Sequence, residues 1–362
     1  MLPYFTTHYG NASEFHSWGQ QARQAVETAR QRLANFLGAQ PEEVIFTSGA
    51  TESINLAHKG LVEATRQLPH VITSQVEHKA VLATCRHLEK LGLTTVTYLP
   101  VDQFGLISLD DLKKALRPET ILVSIMYVNN EVGTIEPVAE IGCLLQRADH
   151  KIYFHTDATQ AVQYLDCDVG RLGVDLLSLT GHKFSAPKGV GALYIKKGTP
   201  LIRQQDGGGQ ESGLRAGTEN VPYIVGLGQA VKLIDHQKAS AVTTLRNQLT
   251  AGLLTIPGVQ LTGHPTFRVP HIASFVIDGV EGEAVLLRLS DAGIAASTGS
   301  ACTSGDLKAS HVLTAMNLPV ELSHGSLRLS LSCETTSEEI DYVLKILPKI
   351  ITNLRKMTPK DV

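Results

Sequence analysis

Apolar runs and amphipathic segments alternate along the first two-thirds of the chain. Apolar residues at helical spacing from Ala22 to Leu37 predict an amphipathic helix, and Gly38 is a typical stop signal after it. Short apolar runs between such helices predict strands at residues 44–47, 71–73, 94–101, 121–128, 152–157 and 174–179. Strands that alternate with helices predict an α/β fold whose sheet is mainly parallel and covered on both faces.

The pattern changes near residue 240. A long helix is predicted from about Ala239 to Leu254, short strands at 259–261 and 273–277, and a C-terminal helix from Glu338 to about Leu354. The chain has 362 residues, more than the roughly 250–300 that one hydrophobic core usually serves. We therefore predict a large α/β domain over residues 1–238 and a smaller α+β domain over residues 239–362.

Composition and charge exclude several classes of protein. Hydrophobic residues make up 43% of the chain and charged residues 19%, which is typical of a soluble globular protein. The formal net charge of −3 argues against direct nucleic-acid binding, which usually needs a basic excess. No window approaches the ~20 continuous apolar residues that span a bilayer, and the N-terminus lacks the basic-then-apolar order of a signal peptide. We expect a cytoplasmic protein that binds neither a membrane nor nucleic acid directly.

The five cysteines are widely spaced and include no Cys-x-x-Cys pair. They indicate reduced thiols and argue against a disulfide framework or a zinc site. Cys302 lies in a run of small polar residues, whereas Cys85 and Cys143 are expected in apolar settings. An accessible thiol in such a run is a candidate nucleophile or carrier. Because the ordinary thiol pKa is about 8.5, Cys302 needs a base or a cation nearby to be mostly thiolate at neutral pH.

Two polar residues follow neighbouring apolar strands. Asp157 ends the strand at 152–157, and Lys183 comes shortly after the strand at 174–179. Ligands of open α/β sheets bind at the C-terminal ends of the strands. An amine for the aldehyde and an anion for the pyridinium nitrogen suit pyridoxal phosphate. The alternative, a surface lysine and an unrelated loop aspartate, stays open on these two residues alone.

A phosphate site is predicted where the first strand meets the next helix. Residues 47–52 (Thr-Ser-Gly-Ala-Thr-Glu) combine a glycine turn, hydroxyl groups and the free N–H groups of a helix start. The Thr180 hydroxyl and His182 are further candidates for binding a phosphate. The alternative for residues 47–52 is an ordinary helix cap provided by Ser48 or Thr51.

Four further features contain residues that could bind a ligand or take part in catalysis, and each also has a purely structural interpretation. His78, between a strand and a helix, is a candidate for stacking on a cofactor ring and moving protons; a surface histidine is the alternative. Gln160 is a candidate donor to a phenolic oxygen or merely a polar residue at a helix start. Arg328 projects from an alternating strand and is either a bidentate carboxylate ligand or a surface arginine. The glycine-dense residues 207–220 either approach a ligand or another subunit closely or form a flexible loop.

The order and spacing of these features closely resemble those of the cysteine desulfurases, pyridoxal-phosphate enzymes of the class V aminotransferase group. The matching runs are Thr-Ser-Gly-Ala-Thr-Glu-Ser at 47–53, Glu-His-Lys-Ala-Val at 77–81, Val-Asn-Asn-Glu-Val-Gly at 128–133, Asp-Ala-Thr-Gln at 157–160, Gly-His-Lys at 181–183, Arg-Ala-Gly-Thr-Glu-Asn at 215–220 and Gly-Ser-Ala-Cys-Thr-Ser at 299–304. The resemblance implies the type I fold of pyridoxal-phosphate transferases, with a seven-stranded sheet in the large domain.

The resemblance also implies a role for each matching residue. Lys183 resembles the Schiff-base lysine, Asp157 the pyridinium partner, Gln160 the donor to the phenolic oxygen and His78 the stacking acid/base. Cys302 resembles the nucleophile that becomes a persulfide. The remaining implied positions are the phosphate and cofactor contacts Ala50, Thr51, Thr180, Gly181 and His182, Thr218 reaching the cofactor phosphate of the other subunit of a homodimer, Asn130 at both cofactor and substrate, and Arg328 at the substrate carboxylate.

The implied reaction removes sulfur from L-cysteine, leaving L-alanine and a Cys302 persulfide. The context of Cys302 resembles the long-loop subgroup, which passes sulfur to acceptor proteins such as iron–sulfur scaffolds and other sulfur carriers. No intrinsic metal site is expected, although Cys302 could serve as a transient iron–sulfur ligand. One sequence does not identify the sulfur acceptor, which could act in iron–sulfur assembly or in tRNA or DNA sulfur modification.

The chain departs from the family pattern in three places. It lacks the Asp-x-x-Ala-Thr-Thr-Pro run usual near the N-terminus, Ala12 replaces a proline, and Thr180 stands where serine is commoner. Two alternatives to an active cysteine desulfurase therefore stay open. One is a selenocysteine lyase-type enzyme, which relative rates on the two amino acids would reveal. The other is a truncated homologue of low activity that docks sulfur acceptors, which a colourless protein unable to take up pyridoxal phosphate would favour.

Overall fold

The computed structural model describes residues 1–298 and 309–357. Contacts group the chain into two compact units. Unit one contains Met1–Leu99, Leu109–Tyr127 and Glu136–Ile234; unit two contains Pro100–Ser108, Val128–Ile135 and the described residues from Asp235 onward. Two segments of the N-terminal half thus pack with the C-terminal residues, an arrangement that a single division at residue 238 does not capture.

Unit one is built on a seven-stranded sheet with the strand order β1-β7-β6-β5-β4-β2-β3. Its strands are β1 (Val44–Thr47), β2 (His70–Ser74), β3 (Thr95–Leu99), β4 (Thr120–Ser124), β5 (Tyr153–Asp157), β6 (Leu176–Thr180) and β7 (Gly191–Ile195). The pairs from β6 across to β3 are parallel, and β7 runs antiparallel to both of its neighbours. The predicted α/β fold with a mainly parallel sheet is confirmed.

Helices separate the strands of unit one. They are α1 (Pro3–Thr6), α2 (Ser17–Leu37), α3 (Ala50–Glu63), α4 (Lys79–Lys90), α5 (Leu109–Ala115), α6 (Val138–Leu145), α7 (Val169–Leu172) and α8 (Val221–Lys232), with short 3-10 turns at Pro41–Glu43, Gly181–Lys183 and Glu211–Gly213. Strands β2, β6 and β7 are buried along their whole length, so both of their faces are covered. One core cluster joins α3 and α4 to β2 and β4 through residues such as Leu61 and Val81.

Helix α2 shows how local chemistry sets the bounds of an element. It ends where predicted, since Gly38 adopts a left-handed φ of 66° and its N–H donates to the carbonyl of Ala34. It begins earlier than its apolar pattern indicates, because the His16 ring nitrogen Nδ1 accepts the N–H of Gly19 and caps the first turn. Apolar periodicity therefore located the buried face of the helix and not its start.

Unit two contains a three-stranded antiparallel sheet with the order β10-β9-β8. The strands are β8 (Val259–Leu261), β9 (Ile272–Ile277) and β10 (Ser326–Ser330), and the helices are α9 (Ala239–Leu253), α10 (Gly282–Asp291), α11 (His311–Ala315), α12 (Val320–His324) and α13 (Ser337–Met357), with a 3-10 turn at His236–Lys238. The smaller α+β unit expected from the sequence is therefore present. Within residues 1–298 and 309–357, none of the helices combines the length and hydropathy that a membrane crossing requires.

Two sequence expectations need correction. The apolar run at 121–128 is not one strand, since β4 ends at Ser124 while Ile125 and Val128 remain buried outside it. Val128 instead pairs with Ile135 in a separate bridge within unit two. Cys143 is exposed, in contrast to the buried Cys85, because it lies on the face of α6 opposite Ile141 and Leu145.

Buried histidines make the stability of unit one pH-dependent, and two of them lie on α3 and β2. His58 on α3 is fully buried, and burial lowers its pKa to about 4. His70 bridges the hydroxyls of Thr120 and Thr97 at 2.8 Å each, and burial likewise lowers its pKa to about 4. Both imidazoles are therefore neutral in the folded protein and take up protons on unfolding.

We expect the free energy of unfolding to fall as the pH drops below the unfolded-state histidine pKa of about 6.5, toward the folded-state value of about 4. For His58 alone the loss is on the order of 3 kcal/mol, because each pKa unit corresponds to about 1.4 kcal/mol. Urea unfolding at a series of pH values measures this slope. His58→Gln should flatten it, and the same substitution at the exposed His87 should leave it unchanged; equal slopes in all three proteins would contradict the assignment.

Candidate active site

The C-terminal ends of β5 and β6 lie side by side. The two strands are hydrogen-bonded parallel neighbours, and Asp157 on β5 pairs in register with Ser178 on β6. The chain leaves β6 at Thr180 and enters the turn Gly181–Lys183 directly. The acid and the lysine therefore follow adjacent strands at one edge of the sheet, as the sequence indicated. Their chemical roles stay a prediction.

Asp157 is a buried carboxylate, with 5% of its surface exposed. One of its oxygens accepts the N–H of Thr159 at 3.0 Å, so the chain just beyond the strand fixes its orientation. Gln160 follows one residue later and is partly buried. A buried anion at a strand end is suited to hold a protonated ring nitrogen, because burial weakens the competition from water.

The start of α3 has the features of an anion site. Gly49 precedes the helix with φ 155°, a conformation open to glycine, and no side chain caps the helix start. The N–H of Ser48 donates instead to Glu52 at 2.7 Å. The alternative of a cap by Ser48 or Thr51 is therefore wrong, and N–H groups at the positive end of the helix remain for a ligand.

Thr180 brings β6 to this helix start. A Cβ atom added at Gly49 would lie 3.4 Å from the Thr180 hydroxyl, at ordinary van der Waals distance, so the two segments lie close together. The same hydroxyl lies 3.1 Å from Nδ1 of His182. Burial, Lys183 and Lys188 lower the pKa of His182, so this imidazole is neutral near pH 7. A hydroxyl, an imidazole and a helix start together form a plausible phosphate cradle, with Ala50 and Thr51 in the first turn.

His78 occupies the N-cap of α4. Its Nδ1 accepts the N–H of Ala80 at 3.1 Å, which leaves the proton on Nε2 in the neutral ring. The residue is exposed, so the imidazole is accessible while its cap bond holds its orientation. An oriented and accessible imidazole can stack on a ring and exchange protons.

Glu77, next to His78, is a residue whose role the sequence reasoning missed. It is fully buried and accepts the Ser74 hydroxyl at 2.9 Å and the N–H of Met126 at 2.8 Å. Burial raises the pKa of Glu77 well above its ordinary value, and the negative charge of Asp157 adds to the shift. The signal available in the sequence was a carboxylate directly after an apolar strand and directly before a candidate catalytic histidine.

In unit two, Asn130 and Arg328 meet across 198 residues of sequence. Nη1 of Arg328 donates to the carbonyl oxygen of Asn130 at 2.6 Å, and the backbone of Arg328 pairs with Ser297. Nε of Arg328 is buried without a hydrogen-bond partner among the described residues. Burial lowers the pKa of Arg328, against the opposite influence of Glu131. The alternative of an ordinary surface arginine is wrong, because this guanidinium is half-enclosed and keeps a donor for an anion.

The glycine-dense segment 207–220 is anchored at Glu211. This carboxylate is buried and accepts both terminal nitrogens of Arg30 at 2.8 Å each, together with the N–H of Phe46 at 2.8 Å. Thr218 in the same segment is exposed. The segment is therefore tied to α2 by a buried ion pair and to β1 by a hydrogen bond. Nothing in the sequence indicated that Arg30 would form this pair. Cys302, the predicted nucleophile, lies outside the described residues.

Pyridoxal phosphate fits the residues of unit one. The buried carboxylate of Asp157 is present for a ring nitrogen, the amine of Lys183 follows the adjacent strand, and the start of α3 offers uncapped N–H groups for a phosphate. These are the three chemical groups that hold this cofactor in its enzymes.

The chain matches known proteins over nearly its whole length. The class V aminotransferase family matches residues 1–343. The cysteine desulfurase IscS of Methanosarcina thermophila is 50% identical over 363 residues, which cover 99% of this chain and 89% of that protein. A solved NifS-like protein is 37% identical with a TM-score of 0.92, covering 98% of this chain and 94% of its own. The structure titled "SspA in complex with cysteine" is 37% identical with a TM-score of 0.82, covering 92% and 94%.

We expect Glu211→Ala to destabilise the protein by about 3 kcal/mol, because it removes the buried carboxylate that binds both terminal nitrogens of Arg30 and leaves that guanidinium only the exposed Glu27 and the carbonyl of Val44. Urea unfolding of the two proteins measures the difference. The control is Asp110→Ala, which removes an exposed ion pair with Lys113 and should cost less than about 1 kcal/mol. A loss for Glu211→Ala no larger than that of the control would show that the buried pair does not anchor the segment.

Proposed function

The chain belongs to the class V aminotransferase family, and from this membership we infer that it is a cysteine desulfurase that takes sulfur from L-cysteine and releases L-alanine. This conclusion rests on the agreement between the residues of the candidate site and the similarity of the chain to a cysteine desulfurase. The same strands that place Asp157 and Lys183 at one sheet edge belong to a chain 50% identical to a cysteine desulfurase over 99% of its length. Fold likeness alone would not establish an activity, whereas this site chemistry supports it.

We propose pyridoxal 5'-phosphate as the cofactor. Lys183 would hold its aldehyde carbon, Asp157 its ring nitrogen and Gln160 its phenolic oxygen. When bound, the cofactor supplies an electron sink next to the Cα atom of the amino acid. Its phosphate would lie at the start of α3, with Ala50, Thr51, Thr180, Gly181 and His182 around it. Asn130 is proposed as a further contact of both cofactor and substrate.

The chain's own residues would perform the remaining chemistry. Lys183 would take the Cα proton of cysteine, and His78 would move protons to and from the substrate. Arg328 would bind the substrate carboxylate, since its buried Nε has no hydrogen-bond partner among residues 1–298 and 309–357. The Cys302 sulfur would attack the sulfur of cysteine as the carbon–sulfur bond breaks. The products are alanine and a Cys302 persulfide, so every atom of cysteine and thiol is accounted for.

We propose that the enzyme acts as a cytoplasmic homodimer. Thr218 is exposed on a segment held by the Arg30–Glu211 pair, which makes it available to the cofactor phosphate of a second subunit. The persulfide would pass to an acceptor protein such as an iron–sulfur scaffold or a sulfur carrier.

The test of the activity uses the full chain incubated with pyridoxal phosphate and L-cysteine. We expect alanine to form and a persulfide to appear on Cys302, identified by peptide mass spectrometry after thiol blocking. Borohydride should attach the cofactor to Lys183. Cys302→Ser should lose the persulfide and at least about 100-fold in rate, as expected when a covalent nucleophile is removed.

The control is Cys143→Ser, which removes an exposed thiol of α6 and should keep full activity. Persulfide formation at the wild-type rate in Cys302→Ser would contradict the proposed nucleophile. Failure of the wild type to bind pyridoxal phosphate would contradict the proposed function. A much faster reaction with selenocysteine than with cysteine would instead identify a selenocysteine lyase.

We expect Arg328→Lys to raise the KM for cysteine by about 10-fold or more, because a lysine ammonium cannot reproduce the bidentate contact of a guanidinium with a carboxylate. Steady-state kinetics with both proteins measure the change. Arg288→Lys is the matched control, since Arg288 is exposed and pairs with Asp291 on the same helix. An unchanged KM in Arg328→Lys would remove Arg328 from the substrate site.

A further inference from the structure

A buried histidine links three strands directly beneath the proposed cofactor site. His155 on β5 lies between two serines, with Nδ1 2.9 Å from the Ser124 hydroxyl of β4 and Nε2 2.9 Å from the Ser178 hydroxyl of β6. All three residues are fully buried. The imidazole therefore connects β4, β5 and β6.

This link lies next to the residues that carry the chemistry. His155 precedes Asp157 by two residues, so both side chains point to the same face of β5. Ser178 is the in-register partner of Asp157 and precedes Thr180 by two residues on β6. The bridge thus joins the strand that ends in the acid to the strand that leads into the turn Gly181–Lys183.

The bridge suits a neutral imidazole. The hydroxyl of one serine can donate to the unprotonated ring nitrogen while the hydroxyl of the other accepts from the ring N–H, in either tautomer. His58 packs edge-on against the His155 ring with centroids 4.9 Å apart. Burial and His58 lower the pKa of His155 well below its ordinary value. His155 therefore acts as a fixed polar cross-link and does not exchange protons near neutral pH.

We propose that His155 is a positioning residue for the cofactor, which fixes the spacing of Asp157 and the Lys183 turn so that ring nitrogen and aldehyde are held together. The inference rests on the proposed function, because it concerns the same cofactor. Backbone hydrogen bonds set the distance between strands, but they leave twist and small sideways shifts free. A rigid ring hydrogen-bonded on both sides removes part of that freedom at the strand ends where the two groups must act together.

The same sheet contains a matched bridge away from the site. His70, the first residue of β2, joins the hydroxyls of Thr120 on β4 and Thr97 on β3 at 2.8 Å each. It is also buried and also links the two neighbours of its strand. It lies at the opposite, N-terminal edge of the parallel strands, where none of the proposed cofactor residues is found. Substitution of His70 therefore measures how the loss of such a bridge changes protein stability without a change at the proposed cofactor site.

The experiment compares the wild type with His155→Leu, His155→Gln, Ser178→Ala and His70→Leu, each stripped of cofactor and then titrated with pyridoxal phosphate. The measurements are the Kd for the cofactor, the midpoint pH of the change in its bound visible absorption, and the urea stability of the cofactor-free protein. We expect both leucine variants to lose stability. Only the His155 variants and Ser178→Ala should weaken cofactor binding, by roughly 10-fold for His155→Leu, and shift the absorption midpoint. His155→Gln should recover part of the affinity, because it keeps one hydrogen bond.

Two results would overturn the inference while leaving the proposed function intact. One is a wild-type affinity for pyridoxal phosphate and an unshifted absorption midpoint in both His155→Gln and Ser178→Ala. These two variants keep most of the packing and so remain folded. The other is an equal loss of affinity in His70→Leu, which would make the effect one of general stability. A wild-type protein that does not bind pyridoxal phosphate would overturn the proposed function first and this inference with it.

Discussion

The parallel pairing of β5 with β6 is the constraint on which the candidate site depends. In a parallel pair the C-terminal ends of both strands meet at one edge, and the register of Asp157 with Ser178 sets how far each chain continues beyond it. A shift of one residue in this register would turn Asp157 to the other face of the sheet. Within unit one, Thr180 at the end of β6 also lies close to Gly49 at the start of α3.

The layer under this edge is polar where a sheet core is ordinarily apolar. Glu77, His58, His155 and the serines Ser124 and Ser178 are all fully buried beneath or beside the strand ends. Burying such groups costs free energy unless they are hydrogen-bonded, and Glu77 and His155 each contact two partners. Burial raises the pKa of Glu77 and lowers the pKa values of His58 and His155, so it favours the uncharged form of each group.

In unit two, a short turn positions the side chain of Arg328. The turn at Asn129 is held by its own side chain, whose oxygen accepts the N–H groups of Glu131 and Val132. That turn presents the carbonyl of Asn130 to Arg328 and the carboxylate of Glu131 to the Ser310 hydroxyl. A local turn motif thereby orients a guanidinium from a distant strand.

The sequence by itself determined the elements and the order of the chemical groups. Apolar runs located six of the seven strands of the large sheet, β1 to β6, and missed β7. Glycine marked the end of α2, and Asp157 and Lys183 followed their strands because strand ends are local features. Only the tertiary structure decided which distant residues meet. Arg30 with Glu211, Asn130 with Arg328 and His155 with its two serines are pairings across strands and loops, and the exposure of Cys143 depends on what packs against α6. The physical reason is that local propensity acts over a few residues, whereas burial, register and long-range hydrogen bonds are properties of the assembled sheet.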